Sequence, residues 1–307
     1  MKTLVLGSGP SALAYLFYNP DAFALAGDQV GGLFAQQAGL GPQLLWHDKL
    51  AQNLMEDLGL PITTRQVKVG YIYRRTLLPR EAMTDSEFED FRNVYSLRTR
   101  GTKPIASHLS GGRSSFLAFT TPVDRIVQEL AKQVALRLIL GKAVFVDLYS
   151  RTVGSNQEST YLHYEKLVST VPAPVLLSLI GHQDKIGQLS ARDKTYLEVQ
   201  TSALPRWARD AVELGFDYVY VVDEECTTPY HRVKFLGGEG GTAILEDTIQ
   251  PGQTPPSSAR LHRAGQIIGG SELLRSLPTY IETLGRYASW NHGIKLNQVL
   301  EIIAHGN

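Results

Sequence analysis

A short apolar run, Lys2-Thr3-Leu4-Val5-Leu6, leads directly into Gly7-Ser8-Gly9-Pro10-Ser11-Ala12, and nothing else in the chain constrains its fold as strongly. Leu13, Ala14, Leu16 and Phe17 then follow at helical spacing. Strand, glycine turn and helix in immediate succession form the context in which a GxGxx(G/A) pattern reads as a dinucleotide fingerprint. Gly7 permits the tight turn, and Gly9 lets the backbone approach a pyrophosphate. Ala12, in the third place, is small enough for close packing of helix on strand. A helix opening near Pro10 offers unpaired N–H groups and the positive end of its dipole to phosphates. The other reading of the pattern is a plain strand–turn–helix.

Bulk properties remove several function classes. Thirty basic and thirty acidic residues cancel, so no net field draws the chain to nucleic acid or to anionic lipid. The 307 residues suit one large domain or two interleaved ones. The lone Cys226 has no partner for a disulfide or a cysteine zinc site, which fits a reducing, cytoplasmic setting. No apolar run reaches the length of a membrane span. There is no GxSxG elbow, no HExxH and no histidine pair at ligand spacing, so a hydrolase triad and a metal site are both set aside.

Along the chain, Phe23 to Ala26 reads as a second strand, followed by a turn that contains Asp28, Gly31 and Gly32. An acid at the end of this strand commonly binds a ribose hydroxyl. Here the strand ends in alanine, and Asp28 in the turn is the substitute, set against an ordinary solvated turn aspartate. An amphipathic run from Leu50 to Leu58, closed by Gly59, predicts a helix. Val67 to Arg74 reads as a strand, and the polar stretch 80–115 as a small cap or a mobile loop. Thr121 and Pro122 are expected as N-cap and first residue of a helix whose face carries Val123, Ile126, Val127 and Leu130. Strands are expected at 136–140, 143–148, 161–164, 166–171, 218–222 and 233–235. The run Gly237 to Gly241 lacks the Lys-Ser/Thr of a P-loop and reads as a loop. Leu284 to Trp290 is expected as a last strand, before a helix from Leu296 to Ala304.

Several separated pieces fall in one order: Gly7 to Ala12, Gly31-Gly32, Tyr164 to Pro172, Pro229-Tyr230-His231-Arg232, and Gly285-Arg286-Tyr287 through Trp290-Asn291. In this order they resemble the FAD-dependent amine oxidase superfamily, in its UDP-galactopyranose mutase-like branch. The resemblance covers nearly the whole chain, as islands, and its most specific piece is the closing Gly285–Trp290 segment. It implies an α/β fold: an FAD-binding Rossmann-like domain of the glutathione-reductase type, with a smaller interleaved α+β substrate or cap domain. Residues 1–66, 116–172 and 262–307 would form the first domain; residues 67–115 and 173–261 would form the second.

Carried over residue by residue, the resemblance puts Gly285 and Arg286 near a flavin and Asn297, Gln298 and Val299 near the cofactor phosphates. Arg232 would pair with a substrate diphosphate, where a guanidinium fork suits phosphate oxygens. Tyr230 and Trp290 would contact substrate, while Tyr71 and Tyr73 are either pocket walls or core. His231 reads as a packing neighbour of Arg232, and no residue stands out as a catalytic base. The implied cofactor is FAD, and the implied partner is a small molecule, phosphorylated or nucleotide-linked. The stretch 80–115 gives about three dozen residues where the sugar mutases carry a long helical substrate domain, so mutase activity is not expected. The leading expectation is hydride transfer from a small molecule to flavin. The alternatives are a redox-neutral, mutase-like flavoenzyme and a degenerate FAD-binding protein without catalysis.

Overall fold

The computed structural model describes residues 2–27, 29–32, 44–101, 115–157, 160–222, 229–236, 241–250, 252–291 and 294–306, with 100 and 263–265 as backbone only. In chain order the first elements are β1 (Thr3–Leu6), α1 (Pro10–Tyr18), β2 (Phe23–Ala26), β3 (Leu44–Trp46), α2 (Lys49–Asp57), β4 (Thr64–Tyr73) and β5 (Thr76–Pro79). Next come α3 (Asp85–Arg100), β6 (Ser115–Pro122), α4 (Val123–Val134), β7 (Leu138–Leu140), β8 (Ala143–Asp147), β9 (Thr152–Ser155), β10 (Tyr161–His163) and β11 (Lys166–Ser169). The remainder are α5 (Ala173–Leu179), α6 (Gln183–Ile186), β12 (Ser190–Gln200), α7 (Arg206–Glu213), β13 (Tyr218–Val221), β14 (Arg232–Phe235), β15 (Thr242–Thr248), β16 (Arg260–Gly269), β17 (Ile281–Thr283) and α8 (Leu296–Gly306). They form two units. The first comprises Met1–Thr63, Phe119–Ser190 and Gly269–Asn307; the second comprises Thr64–Ala118 and Ala191–Ile268.

The first unit is built on a parallel sheet in the order β17-β11-β1-β2-β7. Parallel strands are covered on both faces, which explains why β1 and β11 are apolar at consecutive positions. Val5 and Val168 point to one side, into a core with Leu13 and Leu16 of α1, Ile126 and Leu130 of α4, and Leu300 and Ile303 of α8. Leu4, Leu6, Leu25 and Leu167 point to the other, against Val146, Val153 and Leu176. That second core rests on the antiparallel meander β10-β9-β8 and on α5, so residues 173–190 stay with this unit although the sequence reading changed domain at 172.

Two local expectations in this unit are corrected. Thr121 does not cap α4: β6 runs on to Pro122, which is itself the N-cap at φ −69° and ψ 150°. A residue before proline is driven away from helical geometry, so Thr121 stays extended. The stretch 284–290 is not a strand. β17 ends at Thr283, Gly285 turns left-handed at φ +96°, and the Ser289 and Asn291 amides donate to the Gly285 and Arg286 carbonyls at 2.9 Å. Those turn bonds use the backbone groups a strand would have paired.

The second unit is a mixed sheet in the order β16-β12-β15-β14-β13-β4, with β5 turned back onto β4. β13 and β4 run parallel, while β12/β15, β15/β14 and β14/β13 are antiparallel. One face carries Val69, Tyr71, Tyr73 and Val222 under Phe88, Phe91 and Tyr95 of α3. The other carries Ile72, Val219, Val221, Val233 and Ala243 under Ala211 of α7. Helix α3 occupies much of the stretch expected as a cap or loop. Its start is a capping box: the Glu87 amide donates to the Thr84 hydroxyl at 3.2 Å, and the Thr84 amide donates to the Glu87 carboxylate at 2.8 Å. Gly101, at φ +72°, ends it.

Candidate functional site

In the first unit the chain passes from β1 through α1 to β2 on one side, and β11 lies on the other, so the strand order reverses beside β1. Open α/β sheets bind ligands outside the carboxyl ends of the strands at such a switch point. The loops leaving β1, β11 and β17 meet there. Gly7 sits at φ +107°, and a Cβ on it would lie 2.5 Å from the Thr170 hydroxyl, so no other residue fits between the two loops. Its amide donates to Leu25 at 3.0 Å, and Thr170 donates its hydroxyl to Leu6 at 2.7 Å.

Gly9 is the N-cap of α1, with extended backbone and no side chain capping the helix. No atom of the described residues lies within 4 Å of the position its Cβ would take, so a ligand could come up against the backbone there. Gly31 and Gly32 fold over the same turn. The Gly31 amide donates to the Ser8 carbonyl at 2.7 Å, and a Cβ on Gly32 (φ +56°) would stand 3.1 Å from the Gly9 Cα. The tail of the chain returns to the same place. A Cβ on Gly285 would lie 3.0 Å from the Ser11 Cβ, and closer still to the Ser11 hydroxyl. Glycines at 7, 9, 32 and 285 thus surround the start of α1, each where a side chain would close the space or strain the backbone, and Pro10, Ser11 and Ala12 form its first turn.

Arg286 follows at once. Its Nε donates to the Ile294 carbonyl at 3.2 Å, and among the described residues its guanidinium has no carboxylate partner. Trp290 is 4% exposed, at φ +48°, with its indole N–H donating to Gly269 at 2.9 Å. It serves the packing of this unit. Asn297, Gln298 and Val299 are engaged in the same way. The Asn297 amide group donates to the Trp46 carbonyl at 3.0 Å and to the Asp48 carboxylate, Gln298 accepts from the Lys295 amide at 3.0 Å, and Val299 is core. Asp28 lies outside the described residues.

The second unit concentrates charge on one sheet face. Glu246, fully buried on β15, accepts from Lys194 at 2.7 Å and from Arg232, its cross-strand neighbour on β14. Burial alone would raise the Glu246 carboxyl; the Arg232 guanidinium, with Lys194, outweighs it and holds the group well below the carboxylate range. Arg232 also stands 5.8 Å from the ring centre of Tyr220, its neighbour on β13. Lys234, two residues along β14, is buried, and that burial followed by Arg232 pushes its amine down to about 7.

His231 is fully buried between the Tyr95 hydroxyl (3.1 Å) and the Thr248 hydroxyl (2.9 Å), and burial pushes its imidazole well below the usual range. It is a neutral packing residue, as its place beside Arg232 suggested. Tyr230, Tyr71 and Tyr73 are core residues. Sequence reasoning missed Lys194, Glu246 and Lys234. Their one signal is Arg232-x-Lys234 in an otherwise apolar run, which puts both cations on the same face of a strand. Among the described residues there is no cluster of metal-ligating side chains, and no helix is long and apolar enough to cross a membrane.

No protein-family model matches this chain, and no curated protein sequence matches it. Solved structures do. Reduced UDP-galactopyranose mutase superposes with a TM-score of 0.72 over 99% of this chain and 95% of its own, at 14% identity. An oxidoreductase from Methanosarcina mazei gives 0.66 over 100% and 99%, at 9% identity. Putrescine oxidase bound to putrescine gives 0.64 over 99% of both chains, at 11% identity. At these identities the likeness is one of fold. Over nearly its whole length, this chain shares the fold of UDP-galactopyranose mutase and of putrescine oxidase.

Proposed function

We propose that this chain is an FAD-dependent oxidoreductase acting on a small molecule, with the first unit as the FAD-binding domain and the second as the substrate or cap domain. The observation that carries the reading is the convergence of Gly7, Gly9, Gly31-Gly32 and Gly285 on the uncapped start of α1. The residues fit an adenine dinucleotide: the open face of Gly9 admits a phosphate against the backbone, and the helix start supplies amides and dipole. Arg286 supplies a positive charge without a competing carboxylate among the described residues. Asp28 is assigned the ribose. The side chains of Asn297, Gln298 and Val299 hold the start of α8 in place.

When bound, FAD supplies the hydride acceptor; the chain supplies binding, orientation and exclusion of water. On the second unit Arg232, held rigid by Glu246 and Tyr220, is assigned an anionic group of the substrate, while Tyr230 belongs to the core with Val219, Val221 and Val233. Incubation of the FAD-loaded protein with a panel of amines and alcohols in air tests the reaction. Release of peroxide in step with substrate loss is expected, and its absence across the panel counts against an oxidase.

A second reading, redox-neutral and mutase-like, is favoured by the likeness to reduced UDP-galactopyranose mutase and by the cationic face around Arg232. It predicts turnover of a nucleotide-linked sugar only after chemical reduction, with no net oxidation. A protein that gains no flavin absorbance on addition of FAD would sink both readings and leave a degenerate fold.

A further inference from the structure

Ser8, between the first two glycines of the fingerprint, is buried, and its hydroxyl is engaged by the chain itself: it donates to the Gln29 carbonyl at 3.0 Å. The main chain of the same residue holds the same turn a second time, since the Ser8 carbonyl accepts from the Gly31 amide at 2.7 Å. These two bonds bracket Val30, which packs against the core that contains Leu13 and Leu16. Gly31 and Gly32 then turn left-handed in succession, at φ +99° and +56°. That brings Gly32 against the fingerprint backbone, where a Cβ on it would stand 3.1 Å from the Gly9 Cα and 3.7 Å from the Gly9 nitrogen. Among the described residues the Gly32 amide has no hydrogen-bond partner. It adds one donor to the amides of Ser11 and Ala12, which the start of a helix leaves unpaired.

Only one of these restraints depends on the identity of residue 8. Any residue there has the carbonyl that meets Gly31, and Val30 packs whatever stands at 8. The bond to Gln29 needs a hydroxyl on a short side chain. Without it the Gln29 carbonyl loses its partner. A surface turn with so few restraints opens locally while the rest of the protein stays folded.

We propose that Ser8 is a positioning residue for the dinucleotide: its hydroxyl fixes the Gln29–Gly32 turn so that the Gly32 amide and the start of α1 meet the same phosphates. This assignment rests on the flavin reading above and adds a residue that touches no part of the ligand. Ser8 acts through Gly32, by ordering in advance a turn that the ligand would otherwise have to order on binding. Its loss is therefore read in the dissociation rate more than in the association rate.

The test compares wild type, Ser8→Ala and Ser8→Thr by hydrogen exchange without ligand and by FAD titration. In Ser8→Ala, peptides spanning 29–32 are expected to exchange on the order of tenfold faster, in a protein whose thermal unfolding shows it folded. The same variant is expected to bind FAD about tenfold more weakly, through faster dissociation. Ser8→Thr keeps the hydroxyl and is expected to restore both readouts to within about threefold of the wild type. An equal loss in Ser8→Thr would trace the effect to side-chain volume and overturn the proposal. So would faster exchange in Ser8→Ala with unchanged FAD affinity, because the turn would then have no part in binding. Two outcomes keep this role apart from the flavin reading. FAD bound equally tightly by wild type and Ser8→Ala refutes the role of Ser8 alone, whereas a wild type that binds no FAD refutes the flavin reading and the role of Ser8 with it.

Discussion

Replacing Gly285 with alanine puts the meeting of the chain's two ends to a quantitative test. Gly285 sits at φ +96°, where a side chain is strained by about 1–3 kcal/mol. The new Cβ would also stand 3.0 Å from the Ser11 Cβ and nearer to its hydroxyl, an overpacking worth about 1–3 kcal/mol. Gly285→Ala is therefore expected to lose about 2–6 kcal/mol. Only the second part depends on Ser11. In a Ser11→Gly background the same substitution should cost only the strain, giving a coupling of about 1–3 kcal/mol in the double-mutant cycle. Urea denaturation of the four proteins, at constant m-value, measures it. Costs that add to within about 0.5 kcal/mol would mean the tail does not lie against the fingerprint helix, and the reasoning would fall.

Other consequences concern single residues. Lys234 carries an amine pushed down to about 7 by burial, against 10.5 in the unfolded chain, so between pH 7 and 9 the unfolded chain keeps a proton the folded one sheds. Stability should rise by about 2 kcal/mol over that window, and Lys234→Met should abolish the rise in urea denaturation; an identical rise in the variant would contradict it. His231 is held neutral by burial, so below its ordinary value the unfolded chain binds a proton the folded chain does not. Stability should fall by about 1.4 kcal/mol per unit as pH drops below about 6.5, and His231→Asn should flatten that slope. Asn297→Ala removes the hydrogen bonds to Trp46 and Asp48 and should cost about 1–3 kcal/mol, read as a lower denaturation midpoint.

What could be read from the sequence follows from the range of the interactions involved. The opening strand, turn and helix are local: Gly7 needs its φ, and the helix needs its apolar stripe, whatever the rest of the chain does. Strand β11 was legible because a doubly covered parallel strand is apolar at consecutive positions. Helix α3 was missed although Thr84 and Glu87 spell a capping box, because the polar residues of its exposed side hid the stripe of Phe88, Phe91 and Tyr95. The last strand was misread because Gly285 and Trp290 turn the backbone left-handed within a run of good strand formers. The cluster of Lys194, Arg232, Lys234 and Glu246 comes from strands far apart in sequence, and only the register of β12, β15 and β14 brings them together. No local pattern encodes that register.

The most direct measurement of the central claim is FAD titration of the wild type beside Gly9→Val. Gly9 has φ −75°, and no atom of the described residues lies within 4 Å of its Cβ position, so valine is compatible with the fold. The added side chain would stand where a phosphate must approach. The wild type should bind FAD with the visible bands of a protein-bound flavin. Gly9→Val should stay folded, losing no more than the ~1 kcal/mol of a poorer N-cap, and bind FAD more weakly by on the order of 100-fold, ~2.7 kcal/mol. Equal affinity in the two proteins, or no FAD binding by the wild type, would contradict the account.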